Sequence, residues 1–192
     1  MKENNNDEYA YLHTYLRTRS FKGLIYRKYW LFKKLNQQLN GKTLDLGAGL
    51  GDFVRHRKNT IGVEINPHNV KWCKSEGLDV KLMEVDKLPF DNQSFDSIIM
   101  DNVLEHILNP NKILAEIDRV LIKGGTILVG VPGILGFASD PDHKVFYSKE
   151  LLVKTFINLG YSEKKLFSMP IELDWLDSRM KQYCYYGVFK KV

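Results

Sequence analysis

The feature that most restricts this chain lies between Lys42 and Gly51, where a short apolar segment runs straight into Gly47, Gly49 and Gly51. Glycines carry no Cβ, so the backbone there can approach a ligand closely. The same alternation continues downstream. Residues 42–46, 60–64, 80–84, 94–100 and 126–131 read as short strands, and amphipathic or capped helical stretches separate them. Asn66 and Pro67 open one helix and Gly77 lies just past its end, while the helix over 111–123 stops at Gly124-Gly125. Ser148 opens another, which ends at Gly160, and two late strands follow near 161–168 and 182–191. Strands alternating with helices predict an α/β fold: a doubly wound, seven-stranded, mostly parallel sheet. No full-length crossover helix joins the last two strands, which predicts one antiparallel edge strand. In such sheets the ligand crevice lies at the carboxyl ends of the strands, where the winding reverses, and the glycine loop occupies that place.

The rest of the chain adds bounds. With 192 residues, 44% of them hydrophobic, one core can form without staples. Two distant cysteines, Cys73 and Cys184, make no disulfide framework, and neither a CxxC nor a His-rich spacing points to zinc or another metal. A reduced, cytoplasmic setting fits best, because the start MKENNNDEYAY has no apolar signal core. The longest apolar run, 127–138, is too short to span a bilayer and Pro132 interrupts it. Upstream of the first strand, 20–39 reads as a helix with a Phe21, Leu24, Ile25, Leu31, Phe32, Leu35 and Leu39 stripe, and a shorter helix over 9–16 precedes it. Between Tyr9 and Leu44 stand eight basic residues and no acidic one: Arg17, Arg19, Lys22, Arg27, Lys28, Lys33, Lys34 and Lys42. The net charge of +5 therefore belongs to this segment.

The loop's spacing helps to choose its ligand. A dinucleotide fold uses G-x-G-x-x-G with pyrophosphate on the helix N-terminus. Here the pattern is G-x-G-x-G, and Asp45 precedes it. A carboxylate so placed repels pyrophosphate and suits a cationic sulfonium or amino group. Glu64, ending the second strand 17 positions after Gly47, can accept hydrogen bonds from two ribose hydroxyls.

With these residues in view, the stretch Leu44 to Gly51 resembles motif I of the class I S-adenosylmethionine-dependent methyltransferases, and Val63-Glu64-Ile65-Asn66 resembles the acidic motif after it. The run from Asp86 to Asp96 is similar to the D-x-L-P-F-x-x-x-S-F-D signature of the small-molecule branch, and 101–107 to the V-L-E-H-I segment that follows. The resemblance implies S-adenosylmethionine as cofactor and a division into an N-terminal helical lid, 1–40, and a cofactor-binding methyltransferase domain, 41–192. It implies that Gly47, Ala48 and Gly49 contact the methionine part, with Asp45 holding the loop. Glu64 then binds the ribose, Ile65 packs on the adenine, Val85 and Asp86 read its edge, and Asp101 and Asn102 line the methionine side. Asp96, although inside the signature, reads as a turn or cap residue.

Methyl transfer from a sulfonium is an in-line displacement for which the protein supplies orientation and electrostatics. A base is needed only where the nucleophile must lose a proton, and His106 and His143 are the candidates. His143 stands in D-P-D-H-K-V-F-Y-S, similar to a segment that small-molecule members place over the acceptor. A packing or turn role is open for each. His13, His56 and His68 read as surface residues. The expected acceptor is a small molecule or glycan, an anionic one if Arg17, Arg19, Arg27 or Lys28 attracts it. DNA is disfavoured, since neither N-P-P-Y nor a Pro-Cys dipeptide is present. RNA stays open through the basic segment and its interleaved Tyr11, Tyr15, Tyr26, Tyr29 and Trp30, as does contact with a membrane surface. Residues 172–181 read as a short helical insert beside the acceptor pocket or at an oligomer contact, and the oligomeric state is left open.

Overall fold

The computed structural model describes residues 20–192. The expected helix over 9–16, His13, Arg17 and Arg19 lie outside the described residues. The first helical segment, α1, is α-helical over Phe21–Tyr26, π-helical over Arg27–Leu31 and α-helical again over Phe32–Asn36. The wider π turn breaks the 3.6-residue register of the stripe. None of the residues before it is buried, whereas Leu31, Phe32 and Leu35 are. These three join Leu39, Phe53, Ile99, Leu128, Phe167 and Tyr186 in one apolar cluster. Burial of each large side chain is worth roughly 1.5–3 kcal/mol, enough to fix the helix on the sheet.

Seven strands follow: β1 Thr43–Leu46, β2 Thr60–Glu64, β3 Val80–Leu82, β4 Phe95–Asp101, β5 Leu121–Pro132, β6 Tyr161–Met169 and β7 Cys184–Lys191. Among them run α2 Asp52–His56, α3 Pro67–Ser75, α4 Asn111–Val120, α5 Ile134–Ala138 and α6 Lys149–Asn158. The sheet order is β3-β2-β1-β4-β5-β7-β6. The doubly wound, mostly parallel architecture read from the sequence is present. Its antiparallel strand is β7, which pairs antiparallel with β5 on one side and with β6 on the other. It lies at the expected end of the sheet, one place in from the edge that β6 forms. The caps match the reading too, since the Asn66 side chain accepts from the His68 amide and the Ser148 hydroxyl from the Leu151 amide.

Alternation along the central strands sorts the two faces. Leu44, Leu46, Ile98, Met100, Ile127 and Val129 belong to the cluster with Ile113 and Ile117 of α4 and Phe156 of α6. Ile99 and Leu128 point the other way, toward α1. Asp45 sits opposite Ile99 in the β1–β4 ladder and shares that face. The order reverses between β1 and β4, so a crevice opens beyond Leu46 and Asp101, where the glycine loop begins.

Candidate functional site

The loop after β1 is built by backbone geometry. Gly47 and Gly49 adopt left-handed φ values of 76° and 55°. The amides of Gly47 and Ala48 both donate to the carbonyl of Val63 at the end of β2, at 2.9 and 3.0 Å. A Cβ on Gly47 would come within 2.5 Å of Val103, but one on Gly49 meets no protein atom within 4 Å. Gly47 is needed for packing, then, and Gly49 faces open space. Glu64 ties this turn to the end of β2: one carboxylate oxygen accepts from the Gly49 amide at 2.8 Å and the other from the Asn66 amide at 2.9 Å.

Two cavities meet at this loop. The first, about 380 Å³, lies between α1 and the tips of β1 and β4, and is lined by Gly23, Leu24 and Arg27 together with Asp45, Gly47, Ala48, Gly49, Asp101 and Asn102. It is strongly charged. The buried Asp45 carboxyl is pushed up to about 7, first by loss of hydration and then by the neighbouring Asp101 charge, with the Arg27 guanidinium pulling the other way. Arg27 also lies 3.8 Å from Asp101. Asp101 is held by the Tyr186 hydroxyl, which donates at 2.8 Å, and by the Asn102 amide at 3.1 Å. A cationic ligand entering here would lower the cost of a buried carboxylate.

The second cavity, about 490 Å³, is mostly apolar. Glu64, Ile65, Met83, Val85, Asp86, Asn102, Val103 and His106 line it, among others. Ile65 and Val85, just past the ends of β2 and β3, are 59% and 75% exposed and leave an apolar surface on which a flat group can lie. Gly47 and Asn102 line both cavities, so the two form one elongated space. An apolar half with a carboxylate at its edge and a charged half fit a ligand with an aromatic base, a diol and a charged tail. All ten residues that the sequence places around the cofactor line this space.

Beyond Asn102 the chain makes a 3-10 turn, Leu104–His106. Its middle residue, Glu105, is fully buried, and neither side-chain oxygen has a hydrogen-bond partner. Burial pushes its carboxyl up to about 8. The Glu105 carbonyl accepts the amides of Lys144 and Val145, which stitches the segment after α5 onto this turn. His143 arrives by that stitch. Its Nδ1 lies 2.9 Å from the carbonyl of Phe137, and a carbonyl can only accept, so Nδ1 carries a proton and Nε2 is the ring nitrogen on the Glu105 side. Nε2 is 3.8 Å from Glu105 and 3.9 Å from Asp140. The rings of His106 and His143 stand edge to face at 4.7 Å between centroids. The structure thus brings the two histidines together, and His106 carries their cluster to the wall of the apolar cavity.

Several residues take other places. Phe137 and Asp140 stand around the His143 ring. Asp96 is structural, as its carboxylate accepts the Lys42 amide at 2.6 Å. His56, read as a surface residue, packs against Phe32 and Phe53. Lys28 lies over the ring of Tyr29 and, with Arg55 and His56, lines a hollow that adjoins the charged cavity through Leu24 and Arg27. The insert forms a 3-10 turn, Asp174–Leu176, after which Asp177 accepts from the Ile134 amide and the Tyr185 hydroxyl and so pins the start of α5. Sequence reading missed Arg27 as a wall of the charged cavity and Glu105 altogether. A glutamate beside a histidine in an otherwise apolar stretch was the only available signal for Glu105.

Residues 44–129 match a protein-family model described as a methyltransferase domain. Among curated proteins, the chain is 29% identical over 153 residues to the uncharacterised protein MJ1123 of Methanocaldococcus jannaschii, covering 79% of this chain and 71% of that one. It is 32% identical over 104 residues to the sarcosine/dimethylglycine N-methyltransferase of Aphanothece halophytica, covering 47% of this chain and 38% of that enzyme. Among solved structures, a SAM-dependent methyltransferase of Thermotoga maritima superposes with a TM-score of 0.75 at 20% identity, over 97% of this chain and 99% of the other. That last likeness is one of fold.

Proposed function

This chain is a class I S-adenosylmethionine-dependent methyltransferase, and from that premise we propose that it methylates an oxygen or nitrogen atom of a small-molecule or glycan-type acceptor that enters beside His106 and His143. S-adenosylmethionine is its cofactor. In this reading the adenine lies on Ile65 and Val85 with Asp86 at its edge, and Glu64 receives the ribose hydroxyls. The methionine part runs past Gly47, Ala48 and Gly49 into the charged cavity of Asp45, Asp101, Asn102 and Arg27. The sulfonium compensates buried carboxylates, a pairing that a dinucleotide would reverse.

The observation that carries the acceptor half is His106, which lines the apolar cavity and has Glu105 and His143 grouped behind it. Transfer forms a bond from the acceptor lone pair to the methyl carbon as the carbon–sulfur bond breaks and S-adenosylhomocysteine leaves. An acceptor hydroxyl must also lose a proton, and in this reading the acceptor is bound so that the cluster faces that hydroxyl. In this reading the N-terminal segment 1–40 is the lid of the 41–192 domain, supported in its described part by Gly23, Leu24 and Arg27, which wall the charged cavity. Among the described residues no helix is long and apolar enough to cross a membrane, and both cysteines are free, which supports a reducing cytoplasmic setting.

RNA is the competing acceptor, favoured by the exposed Tyr29 and Trp30 in a hollow shared with Lys33 and Lys34. The test supplies methyl-labelled S-adenosylmethionine with pools of sugar phosphates, lipid-linked glycans, small amines and small RNAs. Label should enter a small-molecule or glycan pool with matching release of S-adenosylhomocysteine. Label found only in RNA, with binding that weakens steeply as salt rises, would replace this acceptor with the other.

A further inference from the structure

The three side chains at the acceptor end have a property that methyl transfer does not require of them. Glu105, His106 and His143 each offer one donor atom, and these atoms all lie within 4.8 Å of one another. Two imidazoles and one carboxylate make up a frequent ligand set of catalytic zinc, with a further position left for water or substrate. The geometry points to a zinc-type divalent cation site formed by Glu105, His106 and His143 at the acceptor end of the cofactor cavity.

Two observations separate this cluster from a chance grouping. Glu105 is 0% exposed and both of its carboxylate oxygens lack a hydrogen-bond partner. Buried polar groups are normally satisfied, and an orphaned carboxylate beside two imidazoles calls for a ligand. His143 is the second. Its side chain is 8% exposed, and the Phe137 carbonyl at 2.9 Å from Nδ1 holds the ring with Nε2 on the Glu105 side. Metal-binding histidines are oriented in this way, with the far ring nitrogen donating to a carbonyl.

The spacing asks for a small adjustment. Tetrahedral zinc with ligands at about 2.0–2.2 Å brings donor atoms to about 3.3–3.6 Å from one another. His143 Nε2 and Glu105 Oε1 are 3.8 Å apart. His106 is exposed, so its ring can swing to close the remaining gap. Asp140, 3.9 Å from His143 Nε2, adds negative charge at the rim. A cation held here would polarise an acceptor hydroxyl. The hydroxyl's proton then leaves to solvent and its oxygen attacks the methyl carbon, so the histidines contribute as ligands and not as free bases. The site's existence does not depend on which acceptor is used.

The experiment uses the full chain, stripped with a chelator and titrated with zinc alone in a calorimeter. One zinc per chain should bind, and His143→Ala and His106→Ala should each weaken it at least tenfold. Glu105→Gln should do the same, with circular dichroism showing that the buried substitution leaves the fold intact. Cobalt(II) should give the visible absorption of a four-coordinate nitrogen and oxygen site, and that absorption should vanish in the His106→Ala/His143→Ala double variant. Zinc affinity equal in the wild-type chain and this double variant would overturn the inference. S-adenosylmethionine binding, titrated separately on the stripped chain, keeps failure of the metal site distinct from failure of the cofactor reading.

Discussion

The two ends of the cleft are built in different ways. At the cofactor end the working parts come from contiguous stretches: the loop 47–49, and the pair Glu64 and Ile65 at the end of β2. The contacts there run largely through backbone, as in the amides of Gly47 and Ala48 on Val63 and of Gly49 on Glu64. At the proposed acceptor end the parts are side chains from two segments far apart in the chain, joined by the amides of Lys144 and Val145 on the Glu105 carbonyl. Backbone positions fix where a ligand lies. Side chains with free donor atoms fix what chemistry is done to it.

The largest expected effect tests the first half of that contrast. Gly49→Val should weaken S-adenosylmethionine at least about a hundredfold, or about 2.7 kcal/mol, as read by calorimetry. A Cβ at this position meets no protein atom within 4 Å, so the fold should survive. Its left-handed φ of 55° costs only about 1–2 kcal/mol. Gly47→Val, two residues away, should instead fail to fold well, because its Cβ meets Val103 at 2.5 Å. If Gly49→Val binds cofactor like the wild type, the loop is not the cofactor cradle.

The second half is tested by His143→Ala. Cofactor affinity should stay within a factor of about two, since His143 does not line the cavity. Turnover of the acceptor identified by the labelling screen should fall by about a hundredfold, in kcat more than in KM. A loss confined to cofactor affinity would merge the two ends into one binding site and abolish the distinction.

The same contrast explains what the sequence made legible. The β-strands and the cofactor loop could be read because their signals are local: apolar runs of four to six residues, glycines at strand ends, an Asn66-Pro67 cap. Boundaries slipped where tertiary pairing overrides local signals. β5 starts at Leu121 and not after Gly125, because Leu121 already pairs with Phe95 across a bulge. The place of β7 between β5 and β6 depends on long-range pairing that no local pattern records. The π turn in α1 is equally silent in the stripe of apolar residues, yet it lies where the helix changes from exposed to buried. Arg27 within that turn read as one of four cations that could attract an anionic acceptor, until packing set it beside Asp101. Glu105 escaped because burial, not residue type, makes it unusual.

The smallest effect compares the carboxyls of the two ends in the protein free of ligand. Asp45 is raised from 3.8 to about 7 and Glu105 from 4.5 to about 8, both chiefly by burial. The unfolded chain releases these protons near the ordinary values, while the folded chain keeps them until about 7 and 8. Over that interval the folded state binds more protons, so stability falls as pH rises and levels off above about pH 8. Each raised unit is worth at most about 1.4 kcal/mol, and relaxation reduces it, so a drop of several degrees in Tm between about pH 5.5 and pH 8.5 is the expected scale. Asp45→Asn and Glu105→Gln should each remove part of that slope. They should part company when ligands are added. S-adenosylmethionine, whose sulfonium opposes a carboxylate at Asp45, should flatten the Asp45 share and leave the Glu105 share in place. A slope that S-adenosylmethionine flattens equally in Asp45→Asn and in Glu105→Gln would show that one field governs both ends of the cleft.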